Sequence, residues 1–454
     1  NPQATTSADY QSELAEVKQA QAQLSEQQNA TIKYWSAGGV LRWNEIMREL
    51  VAKYNLPPYQ NEDGTYPIPS SANPFQYPYF PFSNPPYAAR AYAYVSVAQY
   101  DAMVAAWQFK KQFNRAKPSQ IDPSIRLISN ETQLPAYPSE EATMSSVSLE
   151  MLKLLFPTEI DFLTLKAEEQ KNVALWTGRA VKSDLTAGTE LGKAIANKVI
   201  ARVKSDGMGA AVGNVSIWKK LEDDIVAKGE TPWISLESPK RPPMLPVFGK
   251  VKTWLFDDAE VIKLRPATPP STKSLQMQQE IQMVKEATDN LDREKIRMVH
   301  FWADGAGTYT PPGHWNAIAA DFVNQAQFSD IRTARTFALL NMAMMDAAVC
   351  CWDTKYLYFF PRPSQLDASI KTVTGVPNFP AYTSGHSTFS GAAATILGYL
   401  FPSQKTAVEK MAEEASISRL YGGIHYKMDC EIGLRCGKSI GEYAIRRAKI
   451  DGGE

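Results

Sequence analysis

Four stretches read as long helices from the spacing of their apolar positions: residues 89–107, 331–353, 387–401 and 403–419. Each is rich in Ala, Leu or Met and has no internal proline. Alternating β-branched runs bounded by turn pairs, the mark of strands, are scarce. Pro- and aromatic-rich connections fill 56–86, 117–138 and 231–248. A polar, Gln-rich opening, 1–29, predicts one further helix. The pattern is that of an all-α protein.

The same pattern occurs twice. Shifted by 245 residues, Asp101-Ala102, Val104, Trp107 and Lys110 fall on Asp346-Ala347, Val349, Trp352 and Lys355. Pro135-Ala136-Tyr137 and Ser139 fall on Pro380-Ala381-Tyr382 and Ser384, and Leu155-Phe156-Pro157 on Leu400-Phe401-Pro402. From Ala89/Ala334 to Lys204/Lys449 the match has no gap, and about a third of the pairs are identical. Upstream, with a longer loop in the second copy, Trp35 and Gly38 echo Trp302 and Gly305. These matches predict a tandem duplication: a polar segment 1–33, a first copy 34–205, a connecting segment 206–295, and a second copy 296–454. Two helical bundles related by a pseudo-twofold axis are expected; whether the stiff Pro-rich segment 229–248 caps a pocket is left open by the sequence.

Composition narrows the function. Lys+Arg and Asp+Glu are equal at 48 each, so the basic excess of a nucleic-acid binder is missing. The longest apolar runs, 338–352 and 391–401, are short and the first contains Asn341 and Asp346, so no membrane span is expected. Four cysteines show neither a disulfide framework nor zinc spacing. A start at Asn1 without Met leads to the expectation of an exported protein whose signal peptide has been removed.

All four histidines, His300, His314, His386 and His425, lie in the second copy. His386 corresponds to Glu141, His425 to Ala180, Arg419 to Ala174 and Gly385 to Glu140, whereas Lys355 and Arg362 have basic partners in Lys110 and Lys117. One chemical set is therefore complete only in the second copy, as expected of one live site and one relic. It comprises Lys355-x6-Arg362-Pro363, Ser384-Gly385-His386, and Ser418-Arg419-x5-His425-x3-Asp429. Three cations could offset a tetrahedral oxyanion, arginine offering forked donors and lysine a point charge. Ser384 and Gly385 open an apolar helix, where a hydroxyl and a closely approaching N–H meet an anion at the positive helix end. With His425 and Asp429 four apart on a helix, the carboxylate would accept one ring N–H and leave the other nitrogen free to attack or ligate. His386 would serve as general acid–base. Taken singly, each block also fits a helix start, a solvated helix end or a surface pair.

Together, in this order, the blocks resemble those of the vanadium-dependent haloperoxidase and type 2 phosphatidic acid phosphatase superfamily, with Thr383 where that family often has Pro. The resemblance covers about 300–447. It implies bound vanadate, with His425 as its axial ligand on vanadium, Lys355, Arg362, Ser384, Gly385 and Arg419 around its oxygens, and His386 handling hydrogen peroxide. In the phosphatase branch phosphate occupies the same site and His425 becomes a transient phosphohistidine. Trp352 and Phe379 sit where chloroperoxidases of the family place halide-pocket aromatics. Asp304 and Asp346 are candidate partners of Arg419 or Lys355, His314 stands in a Pro-Pro-Gly loop at the site entrance, and His300 is expected to be a core residue. The reaction implied is oxidation of halide by hydrogen peroxide, with an organic acceptor downstream; the alternative is hydrolysis or transfer of a phosphate ester. A homodimer is the assembly considered.

Overall fold

The computed structural model describes residues 1–56, 61–63, 84–128, 134–238 and 240–453, and among these there are helices and turns but no strand. The opening segment makes two helices rather than one, α1 (Ala8–Ala22) and α2 (Glu26–Trp35). Ser25 is the reason: its hydroxyl accepts the Gln28 N–H and the Gln28 side chain accepts the Ser25 N–H, a capping box that restarts the helix. The chain continues through α3 (Gly39–Tyr54), α4 (Pro85–Phe113), the single turn α5 (Pro118–Ile121), α6 (Glu140–Leu155), α7 (Ile160–Trp176) and α8 (Lys182–Val203). The connecting segment holds α9 (Val215–Ala227), α10 (Asp258–Lys263) and α11 (Leu275–Asp289). Then come α12 (Arg293–Phe301), α13 (Thr310–Ala326), α14 (Asp330–Tyr358), the turn α15 (Pro363–Leu366), α16 (Gly385–Leu400), α17 (Lys405–Tyr421) and α18 (Lys427–Ala448).

The bounds of α14 to α18 are those of α4 to α8 displaced by 245 residues, helix for helix. Local signals repeat with them: Ser139 caps α6 and Ser384 caps α16, each through its side-chain oxygen. Most of the Pro-rich connection 56–86, part of 117–138, and Pro239 lie outside the described residues.

Two compact units form, and neither is a continuous stretch of chain. One comprises 1–47, 94–203 and 323–338; the other comprises 48–93, 204–322 and 339–454. In the first, α6 packs against α7 and α8; in the second, α16 packs against α17 and α18, with α11 and α12 lying on α17. Helix α16 is buried along nearly its whole length, so it forms the centre of its unit. The α16–α18 contact is close because glycine faces it: a Cβ on Gly437 would run into the Thr388 carbonyl.

The expectation of no span-length apolar segment needs correction. One helical stretch, 330–366, is long and apolar enough by length and composition to cross a membrane, although 89% of its most apolar window is buried inside the protein. All four cysteines are free.

Candidate active site

The second unit gathers the three sequence blocks onto the starts and ends of its helices. Lys355 lies in the last turn of α14, and Arg362 stands beyond it at the start of α15, where Pro363 takes the first helical position. Ser384 caps α16 and Gly385 is its first residue. Arg419 is in the last turn of α17. His425 precedes α18 and Asp429 lies in its first turn, so the expected pairing along one helix is replaced by a pairing across a helix start.

That pairing is close. His425 Nδ1 lies 2.9 Å from Asp429 Oδ2, which also accepts the Tyr426 N–H at 3.2 Å. An ionised Asp429 can only accept, so His425 carries its proton on Nδ1 and leaves the Nε2 lone pair outward. Arg362 Nη1 donates to that Nε2 at 3.1 Å and to the Ile424 carbonyl at 2.8 Å, while Arg362 Nε donates to the Phe379 carbonyl at 3.0 Å. Arg419 is anchored by Nε to the Ser418 hydroxyl and by Nη2 to the Val299 carbonyl, both at 3.0 Å.

Lys355 departs from the expectation of a direct contact with an oxyanion. Its Nζ donates to the carbonyls of Pro380, Ala381 and Thr383 at 2.8, 3.0 and 2.5 Å, which uses all three protons. Its counterpart Lys110 does the same with the Pro135 and Ala136 carbonyls. Lys355 therefore shapes the loop leading to Ser384 and adds positive charge from behind it.

The electrostatics all point one way. Lys355, Arg362, Arg419 and His425 are at most 2% exposed. Burial lowers the Lys355 ammonium, with Arg362 adding to the effect, and brings both Arg362 and Arg419 down to about 10. Burial also holds His425 well below the usual imidazole range, reinforced by Arg362 and Lys355, and holds His386 low, reinforced by Arg419 and His314. Among the described residues, Asp429, which burial lifts, and Asp304 are the carboxylates set against these cations. Crowded buried cations without matching carboxylates favour an anion among them.

Two polar atoms mark where it would sit. Arg362 Nη2 and His386 Nε2 are buried without a hydrogen-bond partner among the described residues. Beside them Gly385 leaves open the space a Cβ would take, at ordinary contact distance from the rings of Trp352 and Phe389. The Ser384 oxygen accepts the Ser387 N–H at 3.3 Å, which leaves its own proton available. This donor set, with one imidazole nitrogen beneath it, fits a tetrahedral oxyanion such as vanadate or phosphate.

The Trp352 and Phe379 rings lie 5.0 Å apart at 49°, and Lys355 Nζ and Arg362 Cζ stand 4.9 and 5.0 Å from the Phe379 ring centre. The two aromatics are thus part of the site wall. Asp304, in a left-handed backbone conformation (φ 46°), lies 3.1 Å from His314 Nδ1 and 3.8 Å from His386 Nε2. Its charge also acts on Arg419. Asp346 is engaged elsewhere, its two oxygens accepting the N–H groups of Trp254 and Leu255 at 2.8 Å each. His314 lies in α13 rather than in a loop, because prolines are accommodated in a helix's first turn, and it stacks on Trp302 at 4.5 Å. His300 is exposed, not a core residue.

A cavity of about 470 Å³ opens onto His386, Arg419 and Phe379. Part of its wall is the strap Arg241–Leu245, within the Pro-rich segment 229–248. Sequence reasoning missed the strap's anchors. Met244 N–H donates to the Asn378 carbonyl, and the Met244 carbonyl accepts from Trp352 Nε1 at 3.1 Å and from the Tyr356 hydroxyl at 2.6 Å. These are contacts between distant segments, and no spacing along the chain announces them.

Residues 335–446 match the profile of the PAP2 superfamily. Among solved structures, a bacterial vanadium-dependent iodoperoxidase is similar over 80% of this chain and 92% of its own, with TM-score 0.62 and 24% identity. A bacterial vanadium-dependent chloroperoxidase in its holo form is similar over 84% of this chain and 96% of its own, with TM-score 0.58 and 13% identity. The apo form of a bacterial vanadium-dependent chloroperoxidase gives 80%, 93%, 0.56 and 13%. No curated protein matches the chain in sequence.

Proposed function

We propose that this chain, which shares the all-α fold of the bacterial vanadium-dependent haloperoxidases, is a vanadate-dependent haloperoxidase that oxidises halide with hydrogen peroxide. The observation that carries the proposal is the buried cationic cradle around His425 Nε2, with Arg362 Nη2 and His386 Nε2 left without partners among the described residues. Bound vanadate would supply an electron-poor Lewis-acidic centre that activates hydrogen peroxide towards attack by halide.

The chain's own groups have separable tasks. Asp429 holds the His425 tautomer, so Nε2 is the atom that would hold the central atom of a bound oxyanion, in place of its contact with Arg362 Nη1. Arg362, Ser384, the Gly385 N–H and Arg419 would hold a bound oxyanion, and Lys355 adds charge while fixing the loop. His386, kept neutral by burial, can take a proton from incoming peroxide and return it to the departing oxygen. Trp352 and Phe379 offer a water-poor wall for a weakly hydrated halide, and the neighbouring cations attract it.

The PAP2 match supports a second reading, phosphate-ester hydrolysis through His425 with His386 protonating the leaving alcohol. One experiment separates the two. Purified protein is given hydrogen peroxide and iodide, bromide or chloride with a dimedone-type acceptor, with and without orthovanadate, and p-nitrophenyl phosphate in parallel. The expected result is halogenation that depends on orthovanadate. Phosphate release with no halogenation in any halide would transfer the assignment to the phosphatase branch.

A further inference from the structure

We propose that His314 is a positioning residue for turnover: it clamps the stretch 302–304 against His386, so that the Asp304 carboxylate faces the ring that takes up and returns the proton. The inference rests on the acid–base role of His386, which the haloperoxidase and phosphatase readings share.

Three consecutive residues join the two imidazoles. The His314 ring stacks on Trp302 with centroids 4.5 Å apart at 26°, and Phe301 meets it edge-on at 4.9 Å. His314 Nδ1 lies 3.1 and 3.3 Å from the two Asp304 oxygens, and because a carboxylate only accepts, the ring nitrogen donates. On the other side, Asp304 Oδ2 lies 3.8 Å from His386 Nε2, and the backbone of Trp302 and Ala303 hydrogen-bonds the same ring. The left-handed backbone at Asp304 (φ 46°) is disfavoured for a residue with a Cβ, and the bond to His314 helps to hold it.

At 3.8 Å the carboxylate does not hydrogen-bond the neutral ring, but it is the counter-charge once Nε2 takes a proton from hydrogen peroxide. Among the described residues, the other titratable groups acting on His386 are Arg419 from α17, His314 from α13 and His425 before α18. None of these favours the imidazolium, so the orientation of Asp304 matters. Without its donor, a carboxylate only 6% exposed loses both its fixed direction and its compensation for burial.

Packing alone does not call for this pair. Trp35 and Trp43 in the first unit lie 5.6 Å apart, much as Trp302 and Trp315 lie 5.9 Å apart in the second. Yet Ala37 stands two residues after Trp35, where Asp304 follows Trp302, and Arg42 precedes Trp43, where His314 precedes Trp315. Arg42 turns instead to Glu45 and the Tyr34 carbonyl. The tryptophans repeat, whereas the Asp–His pair occurs only beside His386.

Two substitutions separate packing from positioning. His314→Phe keeps a ring to stack on Trp302 but removes the donor; His314→Asn loses the ring and offers an amide N–H near the place of Nδ1. A packing role requires Phe to be tolerated and Asn to fail. The positioning role requires the reverse. His314→Phe should lower kcat, for halide oxidation or p-nitrophenyl phosphate hydrolysis, by roughly tenfold or more, with KM and orthovanadate affinity within about threefold. His314→Asn should recover most of that loss. Asp304→Asn should lose at least as much, and adding His314→Phe to it should cost nothing further. Loss of the counter-charge disfavours the imidazolium, so the acid limb of the kcat profile moves to lower pH in His314→Phe and Asp304→Asn. Ring 15N shifts of vanadate-free protein give a readout independent of turnover: at about pH 5 the charged fraction of His386 should fall roughly tenfold in these two variants and return with His314→Asn. An unchanged His386 titration in His314→Phe, or equal loss of kcat in the Phe and Asn variants, overturns the positioning role. If the unaltered protein neither oxidises halide nor releases phosphate, both functional readings fall and any part of His314 in turnover falls with them; the 15N titration still decides whether the clamp acts on His386.

Discussion

The imidazoles and their neighbours determine what this site can do. Asp429→Asn keeps the shape of the pair but cannot hold the His425 tautomer, and should lower oxyanion affinity or turnover by about 10- to 100-fold. Equal rates and equal vanadate affinity in that variant would remove Asp429 from the machinery. His386→Ala should spare vanadate binding, measured by equilibrium dialysis, and abolish turnover; equal loss of both would end its acid–base role. Acidity has a definite sign here. His386 and His425 are depressed by burial in the folded protein, whereas in the unfolded chain each gains a proton near pH 6.5. Their contribution to stability is present above that pH and lost as pH falls through it. Burial raises Asp429 above the ordinary carboxylate range, so as pH falls it takes up a proton earlier in the folded protein than in the unfolded chain, and this offsets part of the loss. Urea midpoints followed in the second unit should be lower at about pH 5 than at about pH 7.

Helix pairs set the position of these residues. Helix α16 carries the cap Ser384 and the site residues Gly385 and His386, and its depth against α18 depends on Gly437 meeting the Thr388 carbonyl. Gly192 meets the Thr143 carbonyl in the same way. Gly437→Ala must push α16 away, and should destabilise the protein by about 1–3 kcal/mol, with activity falling along with stability in thermal melts. A fully active and equally stable variant would show that the contact can relax. The repeated glycines, lysines and capping serines were legible in the sequence because each acts within a few residues or across one helix contact. The same repetition separates scaffold from chemistry. Asp184 accepts the Val181 N–H as Asp429 accepts the Tyr426 N–H, but its other partner is Arg115 where Asp429 has His425. At the positions of Gly385 and His386 the first unit holds Glu140, 3.7 Å from Lys110, and Glu141, paired with Arg179. Its anion is part of the chain.

For the whole molecule, the proposed function predicts a ligand response in one unit only. Orthovanadate or phosphate binding the folded cradle should stabilise by about 2.7 kcal/mol at 100-fold excess over Kd. Hydrogen exchange should slow in α14, α16, α17 and α18 and remain unchanged in α6 to α8. Protection spread equally over both sets would contradict a single live site.

The sequence alone determined the all-α class and the 245-residue repeat of pattern, and it singled out residues that the fold brings side by side, among them Arg362, His425 and Asp429. Helix periodicity, capping serines and basic or imidazole side chains act locally, and a single chain displays them. Tertiary structure decided how those residues are used. Lys355 turned out to be saturated by three carbonyls of a loop that begins 25 residues later. Asp346 serves the backbone of residues 254–255, and the strap at 241–245 walls the cavity. Each outcome depends on which backbone carbonyl or N–H arrives beside a side chain when distant segments pack. Every residue carries those same backbone groups, so nothing in the residue pattern distinguishes the ones that will arrive.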